Sequence, residues 1–228
     1  MVALARSLGR LDPLPRFVVS RRVDFHIRRN TFSRWKYAQV DLFLCASNAI
    51  RTMLVGDGVP AERTMTVHEG VDLEHVAAAP RLDVHAELWL PSGAPLVGNV
   101  AALVPHKGHR YLIKAAATVV RQVPDARFVI LGTGELEATL RKQVKDLHLE
   151  RHVLLAGFRP DALSLQKGFD LFAMSSVTEG LGTVLLDAMA IGQAIVATRA
   201  GGIPEVVAHD QTGVLVPPRD ADAMAAAI

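Results

Sequence analysis

The sequence predicts an α/β fold, a parallel sheet with helices on both faces. Two observations predict it. From about Leu96, apolar runs of strand length alternate with longer amphipathic segments. Those runs are continuously apolar, as strands buried on both faces are. Glycine-containing turns recur where the runs end, at the carboxyl edge where such sheets bind ligands.

The elements follow in order. Residues 95–101 read as a strand, 109–122 as a helix and 127–131 as a strand. Residues 135–146 read as a helix, 152–156 as a strand and 161–167 as a short helix. Then come a strand at 169–174, a helix at 183–191 and a strand at 194–198. A short helix at 204–208, a strand at 213–216 and a helix from 220 onward complete the series. The first part is less regular. Strands are expected at 17–20, 41–46 and 65–68, and a helix at 47–55 with Ser47 as its N-cap. That is too little for a complete α/β domain. Residues 72–93, with Pro80, Pro91 and Gly93, read as a linker carrying a short helix. The expected boundary is near residue 92, giving a partial domain at 1–91 and a ligand-binding domain at 92–228. Ala225-Ala-Ala-Ile228 lies mid-helix without a capping residue, so the expectation is an interior piece of a longer protein.

Composition narrows the function. Half of the 228 residues are hydrophobic and 21% are charged, which suits a globular chain with a sizeable core. Aromatic residues are only 5%, too few for base-stacking platforms, so nucleic acid is not an expected partner. The lone Cys45 lies in an apolar run and reads as a buried strand thiol. No apolar stretch approaches the roughly 18 residues of a transmembrane helix. Arg6, Arg10, Arg16, Arg21 and Arg22 break up any signal-peptide core. A cytoplasmic chain is expected. Residues 1–36 carry nine Lys or Arg against Asp12 and Asp24, whereas the remainder is net acidic. A solvated basic face explains this; the alternative is peripheral contact with an anionic membrane or an acidic acceptor.

The chemistry concentrates in Glu179-Gly-Leu-Gly-Thr-Val-Leu-Leu-Asp187, which follows the strand at 169–174. The backbone N–H groups of Gly180, Leu181, Gly182 and Thr183 lie at a helix N-terminus, where free donors and the helix dipole favour phosphate. Glu179 and Asp187 repel phosphate, so their natural partners are the hydroxyls of a sugar and a ribose. The combination points to a nucleotide-sugar. Pro105-His-Lys107-Gly108-His109 adds a loop lysine able to reach a diphosphate.

Other motifs carry less. Gly132-Thr-Gly134 lacks the third glycine of a dinucleotide fingerprint, because Glu137 occupies its place; it reads as a plain turn lining a cleft. Gly201-Gly-Ile-Pro204-Glu205 reads as a helix start, with Pro204 and Glu205 suited to the first turn. Neither the His148/His152 pair nor the His106/His109 pair has a third ligand at metal spacing, so no metal site is expected.

Glu179 through Ile191, Ile195-Val-Ala-Thr-Arg-Ala-Gly-Gly-Ile-Pro-Glu205 and Thr212-Gly-Val-Leu-Val-Pro-Pro218 together resemble the donor domain of retaining GT-B glycosyltransferases, family 4. Val97-Gly-Asn-Val-Ala-Ala-Leu-Val-Pro-His-Lys-Gly108 is similar to the start of that domain, and Glu69-Gly-Val-Asp72 to the motif closing the acceptor domain. The resemblance implies a GT-B fold: a Rossmann-like donor domain after an incomplete N-terminal acceptor domain. It implies that Glu179 contacts the transferred sugar, Asp187 the ribose hydroxyls and Lys107 the diphosphate. Asp187 stands where the family usually has glutamate. Ala102 stands where an arginine is usual, five residues before Lys107. Arg22, at the end of Phe17-Val-Val-Ser-Arg-Arg22, stands where the family has a histidine near the reacting carbon.

The expected function is transfer of a sugar from a UDP- or GDP-linked donor to an unnamed acceptor, with retention and without a bound cofactor or metal. The alternatives are a non-catalytic nucleotide-sugar-binding fragment and a sugar-nucleotide epimerase of the same architecture.

Overall fold

The computed structural model describes residues 15–28 and 30–228. Of the basic stretch 1–36, residues 1–14 and Arg29 therefore lie outside the described residues. Chain contacts divide the protein into two units, Met1–Glu69 and Gly70–Ile228.

The first unit holds three parallel strands in the order β1 (Val18–Arg21), β2 (Leu42–Cys45) and β3 (Thr64–Thr66). Among the described residues, the helices α1 (Thr31–Ala38) and α2 (Asn48–Gly56) and a 3-10 turn at Ala61–Arg63 accompany them. Ser47 caps α2 as expected, its Oγ accepting from the Ile50 N–H at 3.1 Å. Ile50 and Leu54 of α2 are buried, as are Phe43 and the Cys45 thiol on β2. The sequence reading missed α1. None of its residues is buried, so it shows no apolar period; Asn30 starts it by accepting from the Ser33 N–H at 2.7 Å.

The second unit is a six-stranded parallel sheet. Its strands are β4 (Leu96–Val100), β5 (Arg127–Leu131), β6 (Val153–Gly157), β7 (Leu171–Met174), β8 (Ala194–Thr198) and β9 (Val214–Val216). Their order is β6-β5-β4-β7-β8-β9. The residues expected to be a linker fold onto this unit as α3 (Leu73–Ala78) and α4 (Val84–Glu87). Asp72 and Asp83 cap these helices. Buried Val84 packs with Leu165 and Phe169. Each helix anchors through one buried valine, Val76 or Val84, too little to register as a period.

The other helices are α5 (His109–Gln122), α6 (Glu137–Asp146), α7 (Ala162–Gln166), α8 (Thr183–Ile191), α9 (Ile203–Val206) and α10 (Ala221–Ala227). Side chains alternate across each strand. Phe128 and Ile130 of β5 pack beneath α5, α6 and α10, whereas Val129 and Leu131 face α4 and α7. Further along that second face, Phe172 and Met174 of β7 meet Leu185 of α8 and Ile203 of α9.

The sheet order reverses between β4 and β7, the place where open α/β sheets bind ligands. A buried polar chain ties this point together. Asn99 of β4 donates from Nδ2 to the Ala173 carbonyl of β7 at 2.8 Å. His109, the first residue of α5, contacts Asn99 Oδ1 through Nε2 at 3.1 Å. The carboxamide oxygen only accepts, so Nε2 carries the proton. His109 is 1% exposed, and its Nδ1 has no hydrogen-bond partner among the described residues. Burial, with the charges of Lys107 and His106 adding to it, pushes the imidazole down to about 4.

A histidine with a depressed folded pKa supplies stability above its unfolded pKa and loses it as pH falls toward the folded value. Between pH 6.5 and about 4 the unfolded chain takes up a proton that the native chain refuses, costing about 3 kcal/mol. His109→Gln keeps a donor toward Asn99 and removes the titration. Urea unfolding at pH 7 and pH 4 should show the wild type losing more stability than the variant, by about that amount. Equal losses would contradict the assignment.

Candidate functional site

The loops after β4 and β7 meet at the reversal point. The first forms a 3-10 turn, Pro105–Lys107, and the second runs from Ser175 to the start of α8. Lys107 Nζ lies 2.6 Å from Glu179 Oε2, with only 20% and 12% of the two side chains exposed. The same carboxylate oxygen accepts from Ser176 Oγ at 3.0 Å. Ser175 Oγ donates to the Lys107 carbonyl at 2.9 Å, and the Val177 N–H donates to the His106 carbonyl at 2.7 Å. The two loops are thus laced at both backbone and side-chain level. A sheltered pair of this kind adds little net stability after desolvation but fixes where each charge points.

Two close backbone approaches make the lacing possible. Gly108 has φ +66°, and a Cβ there would fall 2.1 Å from the Ser175 carbonyl oxygen. Gly201 has φ +51°, and a Cβ there would fall 1.8 Å from the Glu179 carbonyl oxygen. That oxygen accepts from the Gly202 N–H at 3.0 Å. Gly201 and Gly202 therefore do more than start α9: they hold the backbone of Glu179 from the β8 side.

Gly182, in the left-handed region at φ 88° and ψ 55°, opens α8, and no side chain caps this end. The donors of Gly180 through Thr183 sit at the positive end of the helix dipole, as an anion site requires. Asp187 lies one turn further on and is half-buried. Burial pushes its carboxyl up, opposed by the charge of His75. His75 belongs to α3, which packs on α8.

A cavity of about 310 Å³ opens beside these loops at the carboxyl ends of β4, β5 and β6. Ala102, Gly132, Thr133, Phe158 and Arg159 form part of its wall. The Gly132-Thr-Gly134 turn lines a cleft at this edge. Ala102 brings no charge to the wall. Arg159 is its guanidinium, gripped by Asp161 through two bonds of 2.8 and 2.6 Å and lying 3.6 Å from Glu87.

The structure brings Lys107, Glu179 and Gly180–Thr183 together, with Asp187 on the same helix. Arg22 belongs to the first unit. Its Nε donates to Glu69 Oε1, which joins the strand-end motif to Glu69-Gly-Val-Asp72. Sequence reasoning missed Ser176, Arg159 and the grip of Gly201-Gly202 on Glu179. Only the paired glycines carried a signal, a backbone approach that leaves no room for a side chain. Among the described residues no three His, Cys, Asp or Glu side chains gather as a metal site, and no helix is long and apolar enough to cross a membrane.

Gly201→Ala should disturb the site more than the fold. The added methyl must displace the Glu179 backbone, and a non-glycine at positive φ adds about 1 kcal/mol of strain. We expect a modest fall in the melting midpoint together with a loss of nucleotide binding. Unchanged binding in the variant would show that Glu179 tolerates the shift.

Residues 81–228 match the family model described as Glycosyl transferases group 1. The chain is 32% identical over 216 residues to the amylovoran biosynthesis glycosyltransferase AmsK of Erwinia amylovora, covering 91% of this chain and 51% of that protein. It is 36% identical over 171 residues to a GDP-mannose-dependent alpha-(1-6)-phosphatidylinositol monomannoside mannosyltransferase of Mycolicibacterium smegmatis, covering 70% of this chain and 44% of that one. The Anabaena protein HepE, solved in complex with UDP-glucose, superposes with a TM-score of 0.85 at 26% identity, over 98% of this chain and 63% of that chain. The chain spans about half the length of the curated relatives it matches. Family match, sheet order and likeness to solved structures agree: the chain belongs to the glycosyl transferases group 1, which have the GT-B fold.

Proposed function

We propose that the second unit binds a UDP- or GDP-linked sugar, and that the protein containing it transfers that sugar to an acceptor with retention at the anomeric carbon. The observation that carries this reading is the Lys107–Glu179 pair at the uncapped start of α8, where the sheet order reverses. Relatives named for GDP-mannose and a neighbour solved with UDP-glucose support the donor class.

In this reading the bond between the anomeric carbon and the diphosphate oxygen breaks, and the acceptor oxygen bonds to that carbon on the same face. The leaving diphosphate takes the electron pair, and its oxygen on that same face accepts the proton of the acceptor hydroxyl. Lys107 and the N–H groups of Gly180–Thr183 stabilise its charge, positioned before reaction and sheltered from water. Glu179 accepts from a hydroxyl of the transferred sugar, and Asp187 from the ribose hydroxyls. No bound metal or cofactor is required, because the lysine and the helix end supply the positive charge. The largely apolar cavity beside Phe158 has room for a nucleobase. Arg22 would act on the acceptor side, with Glu69 orienting its guanidinium.

A second reading has a specific observation behind it. The chain covers 51% of the length of AmsK, and the second reading is a non-catalytic piece that binds a donor without turning it over. Calorimetry with UDP, GDP and ADP separates donor binding from its absence; no binding of any of them to folded protein would sink both readings. Transfer from a bound donor to added acceptors then separates an enzyme from a binding piece.

Where transfer is measured, Glu179→Gln should lower kcat/KM by about 10–100-fold, the loss of a charged hydrogen bond of roughly 1.5–3 kcal/mol. Glu205→Gln, exposed in the first turn of α9, should change it little. Equal effects would contradict the assigned roles.

A further inference from the structure

We propose that the first unit carries a binding site of its own, for an oxyanion (phosphate or carboxylate) borne on a body with an apolar face. A cavity of about 520 Å³ lies between α1, the residues leading into it and the turn after α2. Arg28, Arg34 and Arg63 line it together with Tyr37, and Ile27 and Val59 add apolar wall. Arginine presents five donors in a planar fork that fits two oxygens of a carboxylate or phosphate. Among the described residues, no carboxylate pairs with Arg28 or Arg34. Arg63 gives one donor to the Ala38 carbonyl at 3.3 Å and keeps the rest of its fork.

The wall contains one carboxylate, Asp57, and that group is turned away from the role of competitor. Its side chain is 4% exposed. Oδ2 accepts from the Ile27 N–H at 2.8 Å, and Oδ1 lies 2.8 Å from His26 Nδ1. Asp57 thus ties down the segment that carries Arg28. Tyr37 is held as well: its ring packs 6.0 Å from that of Phe43, and Lys36 Nζ sits 5.1 Å from its ring centre. An anion held by the arginines has a tyrosine hydroxyl and aliphatic wall beside it. That combination selects an acid attached to a ring or chain over a bare ion. The site is independent of the donor reading, because Lys107 and Glu179 belong to the other unit.

The test uses the whole chain carrying Lys107→Ala, which removes the donor-site cation. Phenyl phosphate, benzoate and benzyl alcohol are titrated by calorimetry. Saturable one-to-one binding of either acid, with none of the alcohol, is expected; a preference between the two acids identifies phosphate or carboxylate as the group held. Arg34→Ala and Arg63→Ala should each weaken it about tenfold or more. Arg34 sits on a helix that buries no residue, so its replacement leaves the fold intact, as a matching melting midpoint would verify. Arg34→Lys should recover only part of the affinity, because it restores charge without the fork. Absence of saturable binding, or affinity unaltered in Arg34→Ala and Arg63→Ala, would overturn the proposal.

Discussion

The candidate donor site depends on backbone approaching backbone at the carboxyl edge of the six-stranded sheet. Four loops meet there, and three of their backbone approaches pass through a glycine. Gly201 abuts the Glu179 carbonyl, Gly108 abuts the Ser175 carbonyl, and a Cβ on Gly132 would lie 2.0 Å from the Ala101 carbonyl oxygen. Any side chain at these points would prise neighbouring loops apart by a large part of a van der Waals diameter. The glycines thus set the distance between β4, β5, β7 and β8 loops, and the charged side chains inherit their geometry from it. A misplacement of about 1 Å is enough to cost a site much of its effect.

Electrostatics builds on that frame. Glu179 already accepts from Lys107 and Ser176, so its carboxylate is oriented by fixed partners. The Gly202 N–H holds its backbone carbonyl while the lysine and the serine hold its carboxylate, which leaves little rotamer freedom to lose on binding. The neutral His109 behind the loop fits the same plan. Protonated, it would add a buried positive charge beside Lys107 and His106; burial keeps it neutral, and it serves as a hydrogen-bond strut between α5 and β4.

Much of the second unit was legible in the sequence because its period is strong. Helices at 109–122 and 183–191 and strands at 127–131 and 194–198 carry the expected bounds, and each contributes residues to a continuous core. Legibility fails where burial fails. Thr31–Ala38 buries nothing, so an eight-residue helix left no apolar trace. Residues 70–91 fold through single anchors such as Val84, and a lone valine among charged neighbours looks like a linker. At the site, residue types that bear charge could be read from the motif. Contacts between loops distant in sequence could not, since Glu179 to Gly201 and Arg22 to Glu69 are relations of topology.

Asp187 shows how position and chemistry constrain each other. It stands on the α8 side that meets α3, half out of water, and its carboxyl is harder to ionise than an exposed one. A half-buried carboxylate is stabilised by donors, and the charge of His75 supplies only part of the compensation. Hydroxyl groups brought by a ligand would complete it without adding charge. A second anion beside Asp187 would instead raise the cost of its charge. The half-burial of this acid therefore favours a ligand that presents hydroxyls to the body of α8 and phosphates to its N-terminal end. A nucleoside diphosphate has that arrangement, with its ribose next to its phosphates. The polarity of α8, donors at the start and a half-buried acid one turn on, sets the direction in which such a ligand would lie.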